Sequence, residues 1–210
     1  MHISFLTLTI GRFWNSFQCK MNACASVRAT ECLRRKLSAV GPNAQLSPDL
    51  QVDSAERIRI GDWVYVGPGG QFFGRGGLAI SDHVIIGPKV TIMTSMHNHR
   101  TARLIPYDEI ELLKPVEIGT ASWIGFGAIL MPGVVLGKGC IVGAGSVVTK
   151  SFRDGSIVAG NPAKIINLRD MEHFSSHLAN GHTYLKNKVF YKLEKVESVA
   201  NVQKHSSANQ

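Results

Sequence analysis

The chain has 210 residues, of which 44% are hydrophobic and 21 are glycine, and its formal net charge is +8. This length allows one core with a small appendage. The sequence has no stretch of about 18 apolar residues, so no transmembrane helix is predicted. The positive charge suits an acidic ligand, but no nucleic-acid-binding motif accompanies it, so we expect no nucleic acid partner.

The four cysteines (Cys19, Cys24, Cys32 and Cys140) include no Cys-x-x-Cys pair. This usage is typical of a reduced, cytoplasmic protein. Cys140 is interpreted as a small core residue, since free cysteine behaves as a small hydrophobic side chain.

Residues 1–50 are predicted to be a separate N-terminal segment with one helix. Residues 1–10 are apolar, but they lack the leading positive charges and cleavage site of a signal peptide. A buried strand or a contact with the first coil is therefore expected there rather than export, and loose membrane contact is the alternative. Residues 23–39 mix apolar and basic positions and predict a helix that stops before Gly41 and Pro42. Residues 41–53 are polar and rich in turn-forming residues.

A six-residue repeat dominates the middle of the chain. Its aliphatic positions are Ile118, Ile124, Leu130, Leu136, Val142 and Val148, preceded by Ile60, Val66, Ile80, Ile86 and Ile92. A small or branched residue follows four positions later at Ser122, Ala128, Val134, Cys140 and Ser146. A short fixed period predicts stacked solenoid coils, which bury their apolar faces only against one another. We expect these coils over residues 51–165.

Two segments interrupt the repeat. Residues 68–77 are rich in glycine and shift the frame by two residues, which predicts a distorted turn. Residues 94–115, hereafter the excursion, break the repeat completely and predict a segment used for binding or chemistry. Its acids, Asp108, Glu109 and Glu111, are interpreted as solvated loop charges; the alternative is that one orients a histidine or binds the acceptor.

After Lys150 the repeat stops, and residues 166–210 are predicted to form a C-terminal helix and a polar tail. The helix is expected from Asp170 to Leu178. Residues 183–195 could be helical or extended, and residues 197–210 are polar.

Three segments resemble the hexapeptide-repeat acyltransferases, and in particular the sugar and capsule polysaccharide O-acetyltransferases. They are residues 90–97 (VTIMTSMH), residues 121–125 (ASWIG), and residues 143–150 (GAGSVVTK) followed by residues 159–164 (AGNPAK). The resemblance covers residues 55–175 and departs from the family at Phe126, where small residues are common.

The resemblance implies an all-β solenoid, a left-handed parallel β-helix with an extended loop and helical appendages at both ends. The left-handed sense comes from the resemblance, since parallel crossovers are otherwise right-handed. It further implies acetyl-CoA as cosubstrate, no metal, a sugar or polysaccharide acceptor, and a homotrimer with active sites between subunits.

Site residues follow from the same resemblance. His97 is the expected general base and His99 is the alternative, because His99-Arg100 is similar to a motif of the xenobiotic acetyltransferases. Trp123 and Arg100 are expected to bind the acceptor, and the alternative for Trp123 is a subunit contact in the trimer. The coenzyme is expected along one edge of the coils, at Phe126, Gly143, Ala144, Thr149, Lys150 and Lys164, where the lysines would meet phosphates.

The chemistry explains the need for a histidine. A sugar hydroxyl is a weak nucleophile near neutral pH, and a histidine can accept its proton and return it to the departing thiolate. N-acetylation of an amino sugar or antibiotic is the nearest alternative activity. A non-enzymatic scaffold is a second alternative, and a zinc hydratase similar to the γ-class carbonic anhydrases, with ligands from His83, His97 and His99, is a third. If it is not a zinc ligand, His83 is expected on the surface. The histidines of the C-terminal segment are not expected to be catalytic; they are His173, His177, His182 and His205.

Overall fold

The structure, a computed structural model, describes residues 24–192. Its first element is helix α1, residues 24–36. The strands before the excursion are β1 (Ala39–Val40), β2 (Gln45–Leu46), β3 (Gln51–Asp53), β4 (Ile58–Ile60), β5 (Tyr65–Val66), β6 (Gln71–Phe73), β7 (Leu78–Ile80), β8 (Ile85–Ile86) and β9 (Thr91–Met93). A 3-10 helix covers Ala55–Arg57.

The excursion contains β10 (Ser95–His97) and β11 (Glu111–Leu113). The strands that follow are β12 (Val116–Ile118), β13 (Trp123–Ile124), β14 (Ile129–Leu130), β15 (Val135–Leu136), β16 (Ile141–Val142), β17 (Val147–Val148), β18 (Ser156–Gly160) and β19 (Ala163–Leu168). Two helices, α2 (Met171–Ala179) and α3 (Tyr184–Tyr191), end the described range.

Three parallel sheets form the walls of the solenoid. Sheet A contains β1, β4, β7, β12 and β15; sheet B contains β2, β5, β8, β13, β16 and β18, with β19 antiparallel at its end; sheet C contains β3, β6, β9, β14 and β17. Each coil adds one strand to each sheet, which gives a triangular cross-section. Its corners are named A/B, B/C and C/A after the sheets that they join.

Coils are numbered here by their strand in sheet A, so that coil 1 starts at β1 and coil 5 at β15. Strand partners advance by 20 residues in the early coils, from Gln45 to Tyr65, and by 18 in the later coils, from Trp123 to Ile141. A bridge from Leu136 to Phe152 begins a sixth coil, which continues as β18 in sheet B and, within residues 24–192, has no strand in sheet C.

The predicted repeat positions form the core. The six aliphatic residues from Ile118 to Val148 are each 1% exposed or less, and the small residues that alternate with them are buried as well. Each such buried aliphatic side chain stabilises the fold by about 1.5–3 kcal/mol. The buried serines are hydrogen-bonded: Ser122 Oγ donates to the Gly137 carbonyl and Ser146 Oγ accepts from Gly160 N, both at 3.1 Å. The predicted all-β solenoid and the core position of Cys140 are confirmed.

The solenoid starts earlier than the sequence predicted. Helix α1 ends at residue 36 rather than 39, and coil 1 begins at β1, before Gln51. The reason is a set of contacts between distant residues. Leu46 and Leu50 face inward and are buried, and Gly41 stacks so closely on coil 2 that a Cβ atom would lie 2.4 Å from Asp62 Cα.

The glycine-rich segment at residues 68–77 is also more regular than predicted. Residues 71–73 form strand β6, and Phe72 is 1% exposed within the core. The two extra residues lie at the C/A corner, where a Cβ atom on Gly74 would lie 2.6 Å from Ile58 Cγ1. In coil 1 the 3-10 helix occupies the same corner.

Residues 169–192 form a strap that contains α2 and α3. The predicted C-terminal helix is confirmed as α2, and its N-cap Asp170 accepts from the backbone N–H groups of Glu172 and His173 at 3.0 Å. The strap follows the A/B corner: Phe174 lies against Gly139 of coil 5, and the Phe190 ring lies 5.6 Å from the ring of Trp63 in coil 2.

Several predictions concern residues beyond the described range. The apolar residues 1–10, Cys19, His205 and the polar residues 197–210 lie outside it. Within residues 24–192, no helix has both the length and the apolar character that a membrane span requires.

Candidate functional site

The excursion leaves sheet C after β9 and rejoins the solenoid in sheet A at β12, so it projects from the C/A corner. Its two strands pair antiparallel, with His97 opposite Glu111. The buried Thr94 anchors its base, since Thr94 Oγ1 donates to the Phe73 carbonyl and accepts from Gly76 N, both at 2.7 Å. The excursion is therefore a hairpin fixed to the coil wall.

A buried polar pair shapes the tip of the hairpin. Asn98 Nδ2 donates to both carboxylate oxygens of Asp108, at 3.1 and 3.0 Å, and the backbone N–H groups of Arg103 and Ile110 donate to the same carboxylate at 3.1 Å. Asp108 is 4% exposed. Burial opposes the charged form, but these hydrogen bonds outweigh it and hold the pKa of Asp108 below its ordinary value.

Asp108 is thus a structural anchor and not a solvated loop charge as the sequence suggested. Glu111 also differs from that expectation: it is half-buried, accepts from Ser95 Oγ at 2.5 Å and forms an ion pair with Arg75. Glu109 is exposed and pairs with Arg103, as a surface charge does.

Both candidate histidines lie on this buttressed hairpin. The exposed His97 ring stacks on the Tyr107 ring, with centroids 3.9 Å apart and an interplanar angle of 11°. His99 Nδ1 lies 3.3 Å from the backbone carbonyl oxygen of His97, which can only accept, so Nδ1 donates and Nε2 is left as the basic nitrogen. Arg100 is exposed beside them. The hairpin can therefore present an imidazole to a hydroxyl group.

Four of the six predicted coenzyme residues lie along the B/C corner. Gly143 and Ala144 lie at this corner in coil 5. The coil below stacks closely on them, since a Cβ atom on Gly125 would lie 2.6 Å from Ala144 N. Phe126 is 51% exposed on coil 4. Lys164 is exposed in β19, just beyond the turn that joins β18 to β19 at the top of this edge.

The other two lie at the opposite ends of the sheet C strands, at the C/A corner. Thr149 and Lys150 are exposed directly after β17, at the C/A corner of coil 5. Lys150 Nζ lies 5.8 Å above the Phe152 ring. The excursion leaves the same corner two strands lower in sheet C, so Thr149 and Lys150 share a corner with the hairpin of His97.

Trp123 is not on the same side of the chain as the histidines. It lies in β13 of sheet B, the sheet opposite the C/A corner, and its side chain is 52% exposed. Within one chain, the structure therefore does not bring Trp123 together with His97 and Arg100.

His83 is a residue whose surroundings the sequence did not predict. It lies at the A/B corner with φ at 63°, and its Nδ1 is buried without a hydrogen-bond partner. Burial lowers the pKa of His83. The strap covers this corner and brings His177 and His182 beside it. The i, i+4 spacing of His173 and His177 was the available sequence signal, because it puts both rings on one helix face.

The proposed zinc set does not assemble within the chain. His83 is at the A/B corner, whereas His97 and His99 are on the excursion at the C/A corner. In the part of the chain that the structure describes, no group of three or more His, Cys, Asp or Glu side chains is placed to hold a metal ion.

Comparison with known proteins matches this fold and these motifs. The family model described as bacterial transferase hexapeptide (six repeats) matches residues 115–150. Nodulation protein L of Rhizobium leguminosarum bv. viciae is 40% identical over 133 residues, covering 63% of this chain and 69% of the relative.

Two solved structures are similar over the same region. The maltose O-acetyltransferase of Clostridium difficile 630 has a TM-score of 0.63 at 30% identity and covers 67% of this chain and 74% of its own. A hexapeptide-repeat acetyltransferase of Vibrio cholerae O1 biovar eltor, complexed with acetyl-CoA, has a TM-score of 0.60 at 28% identity, with 66% and 75% covered.

Proposed function

Because this chain belongs to the hexapeptide-repeat acetyltransferases, we propose that it transfers an acetyl group from acetyl-CoA to a hydroxyl group of a sugar or polysaccharide. The chain is an acetyl-CoA-dependent acetyltransferase. Sugar O-acetylation is the finer proposal, and the similarity to a maltose O-acetyltransferase supports it.

One observation carries the proposal: an exposed histidine lies on a hairpin at the C/A corner, and hydrogen bonds fix the base and the tip of this hairpin. The hairpin is held by Thr94 at its base and by Asp108 at its tip, so His97 is positioned before substrate arrives. Thr149 and Lys150, the proposed contacts of the coenzyme, share its corner. Such fixed positioning is where much of the rate of a direct transfer originates.

The proposed step is a direct transfer. His97 accepts the proton of the acceptor hydroxyl while the hydroxyl oxygen attacks the thioester carbonyl carbon. The new C–O bond forms, the tetrahedral intermediate collapses, and the C–S bond breaks. The imidazolium then returns the proton to the thiolate, which leaves an acetyl ester and free coenzyme A.

His99 is the alternative base, and a specific contact supports it. Its Nδ1 donates to the carbonyl of His97, which fixes the tautomer and leaves Nε2 free to accept a proton. His97 instead has its ring face against Tyr107, which restrains the ring plane but leaves its edge exposed. Replacing each histidine separately distinguishes them.

The coenzyme is proposed to lie along sheet C between its two corners. The backbone at Gly143 and Ala144 would pair with the amides of the pantetheine arm, and Phe126 would pack against it. Lys150 and Lys164 are exposed and would meet the phosphates as compact charges.

A homotrimer with shared sites is part of the proposal. Trp123 and His97 lie on different sides of one chain, so a site that contains both needs a second subunit. Trp123 and Phe126 are also about half exposed, and a neighbouring subunit would enclose ligands that pack against them.

The test is a screen of mono-, di- and polysaccharides, together with amino sugars, with acetyl-CoA as donor and released thiol as readout. We expect His97→Ala to lower turnover by about 10²–10⁴-fold, while acetyl-CoA still raises the melting temperature of the variant as it does for the parent protein.

Each other outcome has a distinct meaning. Near-normal turnover in His97→Ala with loss in His99→Ala would make His99 the base. Faster transfer to amino sugars than to hydroxyl acceptors would indicate N-acetylation. If no acceptor releases thiol and acetyl-CoA does not shift the melting temperature, the chain would act as a scaffold and the proposal would fail.

A further inference from the structure

A cleft of about 630 Å³ lies between the A/B corner of the coils and the strap. We call it the strap cleft. On the coil side it is lined by His83 and Trp123. On the strap side it is lined by Arg169, Thr183 and three histidines, His173, His177 and His182. It is distinct from the proposed coenzyme edge and from the excursion, which lie at the other two corners.

The charge of the strap cleft has one sign. Every lining side chain that can be charged near neutral pH is basic, namely His83, Arg169, His173, His177 and His182, and no carboxylate lines it. The acids Asp62 and Asp82 act on His83 from its own corner, and Lys186 of α3 acts on it with the opposite sign. A ligand that complements this lining is an anion.

Residues that line the cleft also carry buried polar atoms without a hydrogen-bond partner. In residues 24–192, four buried side-chain nitrogen or oxygen atoms lack a hydrogen bond, and three of these belong to residues that line the cleft: His83 Nδ1, Arg169 Nε and Thr183 Oγ1. Arginine Nε can only donate, and Thr183 is 8% exposed yet makes no side-chain cap bond to α3. Buried polar atoms are normally bonded, so three unpaired atoms on residues around one cleft favour a ligand there that carries hydrogen-bonding groups.

The cleft is elongated along the solenoid axis. The Arg169 guanidinium lies 5.4 Å from the Phe174 ring, which packs on coil 5, whereas His83 belongs to coil 3. With adjacent coils about 4.8 Å apart, the basic groups are spread over about 10 Å. Trp123 of coil 4 lies between them, and its ring is an amphipathic platform of the kind on which sugar rings stack.

We propose that the strap cleft binds an acidic saccharide, a sugar chain that carries carboxylate or phosphate groups. Arg169, Thr183 and His83 bind its anionic groups, and Trp123 stacks on a sugar ring. The identification of this ligand as part of the acceptor rests on the proposed function, whereas binding itself does not. In the proposed trimer, Trp123 would border the cleft of its own chain and the transfer site at His97 of a neighbouring chain, so the acidic unit would continue into the acceptor that is acetylated.

Binding is tested directly by calorimetry on the full chain without acetyl-CoA. The probes are digalacturonate, glucose 6-phosphate and the neutral disaccharide lactose, all at pH 7. The acidic probes should bind at least about fivefold more tightly than lactose, because only they complement the basic lining of the cleft.

Two variants locate the site. Arg169→Gln should weaken binding of the acidic probes by about tenfold or more, because a hydrogen bond to a charged group is lost. Thr183→Val should weaken it by about fivefold and Thr183→Ser should restore it, since only the hydroxyl differs. Arg28→Gln, which removes the same charge from an exposed position on α1, should have no effect.

Hydrogen exchange in α2 and α3 shows whether each variant keeps the strap docked. If Arg169→Gln undocks the strap, the comparison of Thr183→Val with Thr183→Ser decides whether the cleft binds the acidic probes. The inference is overturned if neither acidic probe binds saturably, if lactose binds equally well, or if the variants bind like the parent. Acidic probes that bind but are not acetylated would leave this inference standing and count against the acceptor class alone. Digalacturonate and glucose 6-phosphate together distinguish a carboxylate ligand from a phosphate ligand.

Discussion

At the scale of single residues, Asp108 anchors the proposed catalytic hairpin. Its carboxylate accepts from two backbone N–H groups and from Asn98, and Asn98 Oδ1 in turn accepts from Thr101 Oγ1 at 3.0 Å. Since these bonds hold its pKa below the ordinary value, the anchor stays ionised through the neutral range. It would weaken only as the pH falls from the unfolded-state pKa, about 3.9, through the lower folded-state pKa.

Replacing Asp108 by Asn should therefore impair catalysis without removing a catalytic group. The amide cannot accept from all of these donors, so the hairpin that carries His97 shifts, and displacement by about 1 Å can cost about 10²-fold in rate. We expect kcat to fall by about 10–10²-fold with an unchanged Kd for acetyl-CoA. Glu109→Gln, next to it but exposed, is the control and should change neither value. Equal rates for the two variants would show that the Asp108 network does not position the base.

The residues that the sequence could predict owe their burial to local spacing, whereas those that it could not predict owe it to tertiary contacts. Inward positions such as Ile124 and Leu130 follow from local spacing, because a period of six fixes which side chains face the axis. The surroundings of Asp108 and His83 could not be predicted, because their burial depends on how the chain folds around them and not on the period of six. Asp108 is enclosed by its own hairpin, and His83 is covered by a strap that begins only at residue 169.

Among the elements, the strap depends on a backbone position that only glycine suits. Gly139 has φ at 66°, and a Cβ atom there would lie 2.9 Å from the Phe174 ring of α2. Helix α2 could be predicted from its N-cap and apolar spacing. Its position could not, because that position depends on the absence of a side chain at a corner some thirty residues earlier.

Gly139→Ala should consequently destabilise the protein and release the strap. Gly127 offers a matched control: its φ is 64°, and a Cβ atom would meet nothing within 4 Å. Gly127→Ala should cost about 1 kcal/mol of unfolding free energy for the left-handed backbone alone. Gly139→Ala should cost about 1–2 kcal/mol more, because Phe174 must also move. Hydrogen exchange should accelerate in α2 only for Gly139→Ala, and equal exchange in both variants would contradict this account.

In the whole molecule, the triangular cross-section separates the groups that the proposed reaction needs. The excursion with His97 projects from the C/A corner, while Trp123 lies in the opposite sheet. Coil geometry could be predicted from the sequence, but association could not, because outward residues such as Trp123 and Phe126 show only that some surface is apolar. A cyclic trimer is the arrangement in which one chain's corner meets the next chain's face in a closed ring.

Mixed oligomers test this arrangement. If His97 of one subunit and Trp123 of its neighbour share a site, His97→Ala and Trp123→Ala chains should each be inactive alone but complement each other when co-expressed. In a random trimer, a site is intact when a Trp123→Ala chain supplies His97 to a neighbouring His97→Ala chain, which occurs at about one quarter of the sites. About one quarter of parental activity is therefore expected, at a solution mass three times that of the chain. A monomeric mass, or a mixture as inactive as its components, would show that both residues do not act across a subunit boundary.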